Sequence, residues 1–154
     1  MLKKGDKAPN FTGIDQLGEK ISLEDYAVKK IILYFYPKDN TAGCTAEACS
    51  LRDGYSDLKK LGYVIIGVSP DNEKSHQKFI EKNSLPFRLV SDTDKSIAAA
   101  YGVWGEKKFM GRTYMGVIRK TFIINENGVI TMIVDKVRTK DHAEQLLEIL
   151  KTEN

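Results

Sequence analysis

Two short apolar runs constrain this chain more than any other feature: Lys30–Tyr36 (KIILYFY) and Tyr63–Val68 (YVIIGV). Both are rich in β-branched and aromatic residues and show no polar alternation, the pattern of strands buried on both faces. Such strands lie inside a sheet covered by helices, so the segment between them has to cross over that sheet. Ala48, Leu51, Tyr55, Leu58 and Leu61 recur there at helical spacing, and Gly62 supplies a stop. One helix ending at Gly62 is predicted.

The remaining elements follow from local signals. Phe11–Leu23, with Asp15-Gln16-Leu17-Gly18 at its centre, predicts a hairpin. Ser69-Pro70-Asp71 has the order of a helix N-cap, a first-turn proline and an acid suited to the positive helix end, and that helix runs towards Lys82. Phe87–Val90 is a short strand, and Asp92 is placed to cap a short helix through Ala100. Val117–Ile124 and Val129–Val134 flank Asn125-Glu126-Asn127-Gly128, where Asn-Gly suits a tight antiparallel turn. Thr139 is expected to cap a last helix carrying Leu146, Leu147 and Leu150. The order hairpin, βαβαβ, helix, hairpin, helix predicts an α/β thioredoxin-like fold: a central mixed sheet flanked by helices, with an N-terminal β-hairpin. The 154 residues suit a single such domain, residues 1–154.

Charge and cysteine content narrow the function classes. Twenty-four lysines and arginines stand against 21 acids, a net charge of +3 spread from Lys3 to Lys151 with no basic stripe, so nucleic acid is not an expected partner. No apolar run is long enough to span a bilayer, and Lys3-Lys4 is followed by no apolar region of a secretory signal. A cytoplasmic protein without a membrane partner is expected. Two cysteines exclude a disulfide-dense scaffold, and in a reducing compartment a nearby pair of thiols points to chemistry.

That pair lies in Tyr36-Pro37-Lys38-Asp39-Asn40-Thr41-Ala42-Gly43-Cys44-Thr45-Ala46-Glu47-Ala48-Cys49, which joins a buried strand to a helix. This end of an open α/β sheet is the usual ligand crevice. Thr41 is a natural N-cap, which puts Cys44 in the first turn, where free amides and the helix dipole favour a thiolate. Five helical residues separate α-carbons by roughly 8–9 Å and rotate side chains by about 140°. A disulfide needs about 7 Å or less, so Cys44 and Cys49 join only if the first turn unwinds. Two buried, inert thiols are the bland alternative. Zinc would need four ligands, whereas His76 and His142 stand alone, and no Cys-x-x-Cys is present. His76, among lysines and glutamates, reads as a surface position. Asp92-Thr93-Asp94 reads as capping rather than calcium binding, and Trp104 and Phe109, assigned to a loop over Lys107–Arg112, are expected either to pack the core or to form a partner-docking edge.

Pro37, Thr41 and Cys44 at this spacing resemble the peroxiredoxin active-site pattern. The second cysteine, within Cys44-Thr45-Ala46-Glu47-Ala48-Cys49-Ser50-Leu51-Arg52-Asp53, resembles the bacterioferritin comigratory protein (peroxiredoxin Q) branch. Gly5–Phe11, Tyr101–Gly111 and Gly116–Ile124 are similar to the family's opening, the branch's long loop and its arginine-bearing strand, so the likeness covers nearly the whole chain.

The resemblance implies a peroxidatic Cys44, a resolving Cys49 that closes an intramolecular disulfide, and Thr41 bonding thiolate and peroxide. It further implies a shielding Pro37 and an Arg119 that holds the thiolate and polarises the peroxide. Charge alone leaves Arg52 and Arg138 as competitors, and a solvated Arg119 as the plainer alternative. Hydrogen peroxide and organic hydroperoxides are the implied substrates and a thioredoxin-type dithiol the implied reductant. The implied protein uses no metal, haem or flavin and works as a monomer. Ala42 stands where the branch commonly has proline, a difference that bears on loop stiffness. The Gly-Gly-Leu-Gly loop and C-terminal Tyr-Phe pair of over-oxidation-sensitive relatives are absent, which implies a first turn that frays freely. A thiol–disulfide oxidoreductase of thioredoxin type and a non-catalytic redox sensor remain the competing functions.

Overall fold

The computed structural model describes residues 1–152. β1 (Thr12–Asp15) and β2 (Lys20–Ser22) form the expected antiparallel hairpin. β3 (Lys30–Phe35) leads into α1 (Ala42–Asp53) and α2 (Tyr55–Lys60), and β4 (Tyr63–Ser69) then pairs parallel with β3. α3 (Glu73–Asn83) returns the chain to β5 (Arg88–Ser91), parallel to β4, and α4 (Ser96–Ala100) follows. β6 (Trp104–Phe109) and β7 (Arg112–Val117) make a separate two-stranded ribbon. β8 (Lys120–Ile124) and β9 (Ile130–Val134) close the main sheet antiparallel to β3, and α5 (His142–Thr152) ends the fold. The seven-stranded order is β2-β1-β5-β4-β3-β8-β9, the mixed thioredoxin-like sheet expected from element order.

Strand alternation divides the interior into two cores. Ile31, Leu33 and Phe35 of β3 face a core closed by α4 through Ile97 and Ala98. Ile32 and Tyr34 face the other, closed by α1, α2, α3 and α5 through Leu51, Leu58, Phe79 and Leu146, and this core contains Cys44. With both faces covered, the KIILYFY run needs no polar side, as its composition predicts.

Several boundaries differ from the sequence reading. Gly54 divides the helix expected to reach Gly62: a Cβ there would lie 2.4 Å from that of Ala143, so the glycine is where α5 presses on the end of α1. Ser69 is a buried residue ending β4, and the cap of α3 is Asn72, whose side chain accepts the Ser75 N–H at 2.8 Å. Ser69 stays extended because the parallel ladder with β5 continues to Ser69–Ser91. Val117–Ile124 is two strand ends separated by Ile118-Arg119. The Lys107–Arg112 stretch is a hairpin turning at Met110 and Gly111, both at positive φ. Its residues are largely exposed, Phe109 included, so no buried alternation announced it. A 3-10 turn over Thr139–Asp141, with Arg138 at its cap position, precedes α5 in place of a Thr139 cap. Asp92 caps α4 as expected, its two carboxylate oxygens accepting the Ile97 and Ala98 amides. Among the described residues no helix is long and apolar enough to cross a membrane.

Candidate active site

The loop Tyr36–Thr41 carries the chain from β3 to α1 and is tied down from below. Asp39 is buried; its Oδ1 accepts the Tyr36 hydroxyl at 2.6 Å, and its Oδ2 meets the Ser75 hydroxyl at 2.8 Å and His76 Nδ1 at 2.7 Å. The Asp39 amide donates to Asp71 Oδ2 at 2.7 Å, which also accepts the Ser69 hydroxyl. His76 is thus wholly buried, and not the surface residue its charged neighbours suggest. Its helix presents lysines and glutamates outward while this one polar face turns to the loop. Atoms of Asp39, Asp71 and His76 lie close enough to hold a metal, within 4.8 Å of one another, but each residue is already hydrogen bonded.

Pro37 is half-buried at the bend after β3. Thr41 occupies the cap position in extended geometry, but its hydroxyl donates to the Lys38 carbonyl at 2.8 Å and caps no first-turn amide. The expected Thr41 contact with the thiol is therefore not made here, because the hydroxyl hydrogen is engaged within the loop.

Cys44 follows in the first turn, with 1% of its surface exposed, and its Sγ accepts a hydrogen bond from Arg119 Nη2 at 3.2 Å. Arg119 reaches it from the irregular step between β7 and β8. The small Gly43 lies alongside, a Cβ there meeting Nη2 only at 3.4 Å. Arg119 is the arginine placed on Cys44. Arg52 pairs with Asp53 and donates to the Asn83 carbonyl, and Arg138 pairs with Asp141 and Glu148. Cys49 is half-buried on α1, its thiol 3.7 Å from Asn83 Oδ1 at the end of α3. Both cysteines are free.

Three residues enter the site that the sequence reading did not select. Glu47, one turn after Cys44, is fully buried and pairs through Oε1 with Arg119 Nη1 at 2.5 Å. Burial pushes its carboxyl up to about 7 against the opposing pull of Arg119. His142 lies beyond it, with Nε2 at 3.6 Å from Glu47 Oε2 and 2.8 Å from the Thr121 hydroxyl. Burial draws the ring down to about 4, opposed by its hydrogen bond to Gln145. The usable signal was spacing: Glu47 is at i+3 from Cys44, so both share a helix face. Nothing local marks Thr121 or His142.

A thiol at a helix start with a guanidinium on its sulfur is suited to nucleophilic attack on an electrophile whose leaving group departs as an anion. Comparison with known proteins names the class. The AhpC/TSA family profile matches residues 4–133. A peroxiredoxin Bcp from Haemophilus influenzae, named as putative, is 49% identical over 151 residues, covering 98% of this chain and 97% of that protein. A PrxQ mutant from Xylella fastidiosa superimposes with a TM-score of 0.92 at 31% identity, covering 99% of this chain and 98% of that one. The Xanthomonas campestris bacterioferritin comigratory protein, solved with a trapped intermediate and ligand bearing on its alkyl peroxide reduction, gives 0.86 at 34%, covering 93% and 91%. The chain belongs to the AhpC/TSA family, in the branch of peroxiredoxin Q and Bcp. Its activity is that of a thiol peroxidase, an oxidoreductase.

Proposed function

We propose that the protein reduces hydrogen peroxide and small organic hydroperoxides through Cys44, resolves the product with Cys49, and is recycled by a thioredoxin-type dithiol. The contact of Arg119 with the Cys44 sulfur at 3.2 Å carries this reading. The Cys44 thiolate attacks the terminal peroxide oxygen, the O–O bond breaks, and the alkoxide or hydroxide leaves and takes a proton from water. Sulfur is oxidised to a sulfenic acid and the peroxide is reduced. Arg119 stabilises the thiolate and then the departing oxygen, Pro37 shields the pocket, and the Thr41 hydroxyl turns from Lys38 towards the bound peroxide.

The Cys49 thiol then attacks the sulfenic sulfur, water leaves, and a disulfide forms; exchange with an external dithiol restores both thiols. Helical geometry keeps the sulfurs apart, so the first turn of α1 opens between these steps. Two features favour opening. The turn has neither a side-chain cap nor an acid in its first residues. Oxidation to a neutral sulfenic acid also removes the charge that Arg119 held. Because both cysteines lie on one helix, the cycle needs no second subunit and no cofactor. A single-domain monomer in the reducing cytoplasm, acting on neither membrane nor nucleic acid, fits that chemistry.

One equivalent of peroxide is expected to remove two hydrogens from the intact protein, mapped by mass spectrometry to a Cys44–Cys49 link. The Cys44→Ser variant should consume no peroxide, and Cys49→Ser should stop after one turnover. Peroxide consumption that persists in Cys44→Ser, or insulin reduction without peroxide consumption, overturns the reading.

A further inference from the structure

Behind the Arg119 guanidinium lies a group that the peroxidase steps leave unused. Glu47 gives Oε1 to Arg119, while its Oε2 is sealed from solvent and has no hydrogen-bond partner. His142 Nε2 stands 3.6 Å from that oxygen. Gln145 decides what this nitrogen presents. Its amide is fixed on two sides, Nε2 donating to the Lys136 carbonyl at 2.9 Å and Oε1 accepting the Arg138 N–H at 3.0 Å. The same Oε1 is 2.9 Å from His142 Nδ1, so Nδ1 carries the ring hydrogen. In the neutral ring Nε2 is then a lone pair, shared between the Thr121 hydroxyl and Glu47 Oε2. An ionised carboxylate oxygen facing a ring lone pair in a dry site is strongly disfavoured, and a proton on Oε2 relieves it.

We propose that Glu47, positioned by His142, carries this proton at and below neutral pH, and that its release at higher pH turns the peroxidase down by drawing Arg119 away from the Cys44 thiolate. The inference rests on the peroxidase reading and deepens it. With Glu47 neutral, the Arg119 charge serves the sulfur and the departing oxygen; with Glu47 ionised, the carboxylate neutralises that charge at 2.5 Å. Both acid–base groups lean the required way, since burial raises Glu47 to about 7 and lowers His142 to about 4.

The other charged or titratable groups facing the pair do not supply such a step. Tyr34 on β3, raised well above the ordinary phenol range by burial, stays neutral. Arg138 and Asp141, beside the start of α5, pair with each other at 3.2 Å. Lys107 on β6, which acts on Arg119 and Cys44, is lowered by burial and donates to the Val117 carbonyl.

The experiment is single-turnover reduction of hydrogen peroxide by the reduced protein, from about pH 5 to about pH 9. The rate should rise with thiolate formation and then fall by about threefold to tenfold around a midpoint of about 7. Glu47→Gln, which cannot ionise, should lose that fall. His142→Gln turns an N–H towards Oε2, favours the carboxylate, and should move the midpoint to lower pH. A fall that survives in Glu47→Gln, or a midpoint that stays in place in His142→Gln, overturns the inference. In the unaltered protein, nitrogen NMR should find His142 neutral with hydrogen on Nδ1 across neutral pH, and an imidazolium there overturns it too. Absence of turnover at every pH rejects the peroxidase reading itself, whereas turnover with a level alkaline side rejects only the role of the pair.

Discussion

Two buried acid–histidine pairs flank the loop Tyr36–Thr41 and the start of α1, and they are built differently. In the Asp39–His76 pair both carboxylate oxygens have donors, from Tyr36, Ser75 and His76, and the second ring nitrogen faces the Val90 carbonyl at 3.2 Å. In the Glu47–His142 pair one carboxylate oxygen has Arg119 and the other has no partner. A satisfied buried network fixes one geometry, because breaking any member leaves the others desolvated and unpaired. An unsatisfied one keeps a choice of protonation states open. The closed pair holds the loop; the open pair lies one turn from the Cys44 sulfur. Hydrogen-bond completeness separates scaffold from chemistry here, since burial and residue type are alike in both.

The largest expected effect tests the closed pair. Asp39→Ala strands His76, Tyr36 and Ser75 in the core and should lower unfolding stability in urea by roughly 3–5 kcal/mol. Near neutral pH, Glu47→Gln removes no obligatory donor and should cost about 1 kcal/mol or less. Equal losses in the two variants would dissolve the distinction. Next comes Arg119→Met, which keeps the apolar stem and deletes the charge. It should slow peroxide reduction by about 10²- to 10³-fold, the scale of losing one preorganised donor at a developing anion. Its effect on the urea midpoint near neutral pH should be slight, because a Glu47 that already holds its proton leaves no buried charge stranded when its partner goes. A variant that unfolds readily but reacts at the normal rate would make Arg119 a structural member, like His76.

Much of this arrangement was legible in the sequence. KIILYFY and YVIIGV announced the buried parallel strands, and Thr41 three residues before Cys44 announced a cysteine in the first helical turn. Those features are local, written in periodicity and capping order. Arg119 came from family resemblance alone: it arrives from a break between strands, and charge could not separate it from Arg52 or Arg138. His76 was misread because the lysines and glutamates that fill α3 say little about its inward face, where Ser75 and His76 meet Asp39. Glu47 and His142 were missed because their meaning depends on a contact across 95 positions of chain, and on which ring nitrogen Gln145 occupies. Sequence spacing registers faces of elements, and it does not register whether a buried oxygen has a donor.

The smallest expected effect is the sharpest test of where the proton resides. An acid raised from 4.5 to about 7 makes folding less favourable as pH rises through that window, because the native state holds the extra proton. A histidine lowered from 6.5 to about 4 does the reverse: its contribution is lost as pH falls, because the unfolded chain takes the proton first. Together they nearly cancel. Folding moves one proton from ring to carboxyl, so from 4.5 to 6.5 the number bound does not change. The pair's share of stability should therefore be level there, with only a small residual at each end. Single substitutions uncover the hidden slopes. Relative to the unaltered protein, Glu47→Gln should lose stability as pH falls from 6.5 towards 4, by up to about 3 kcal/mol. His142→Leu should instead lose stability as pH rises from 4.5 towards 7, by a similar amount. Slopes of the same sign in both variants would mean that no proton is handed from one group to the other on folding, and the open pair would then be as inert as the closed one.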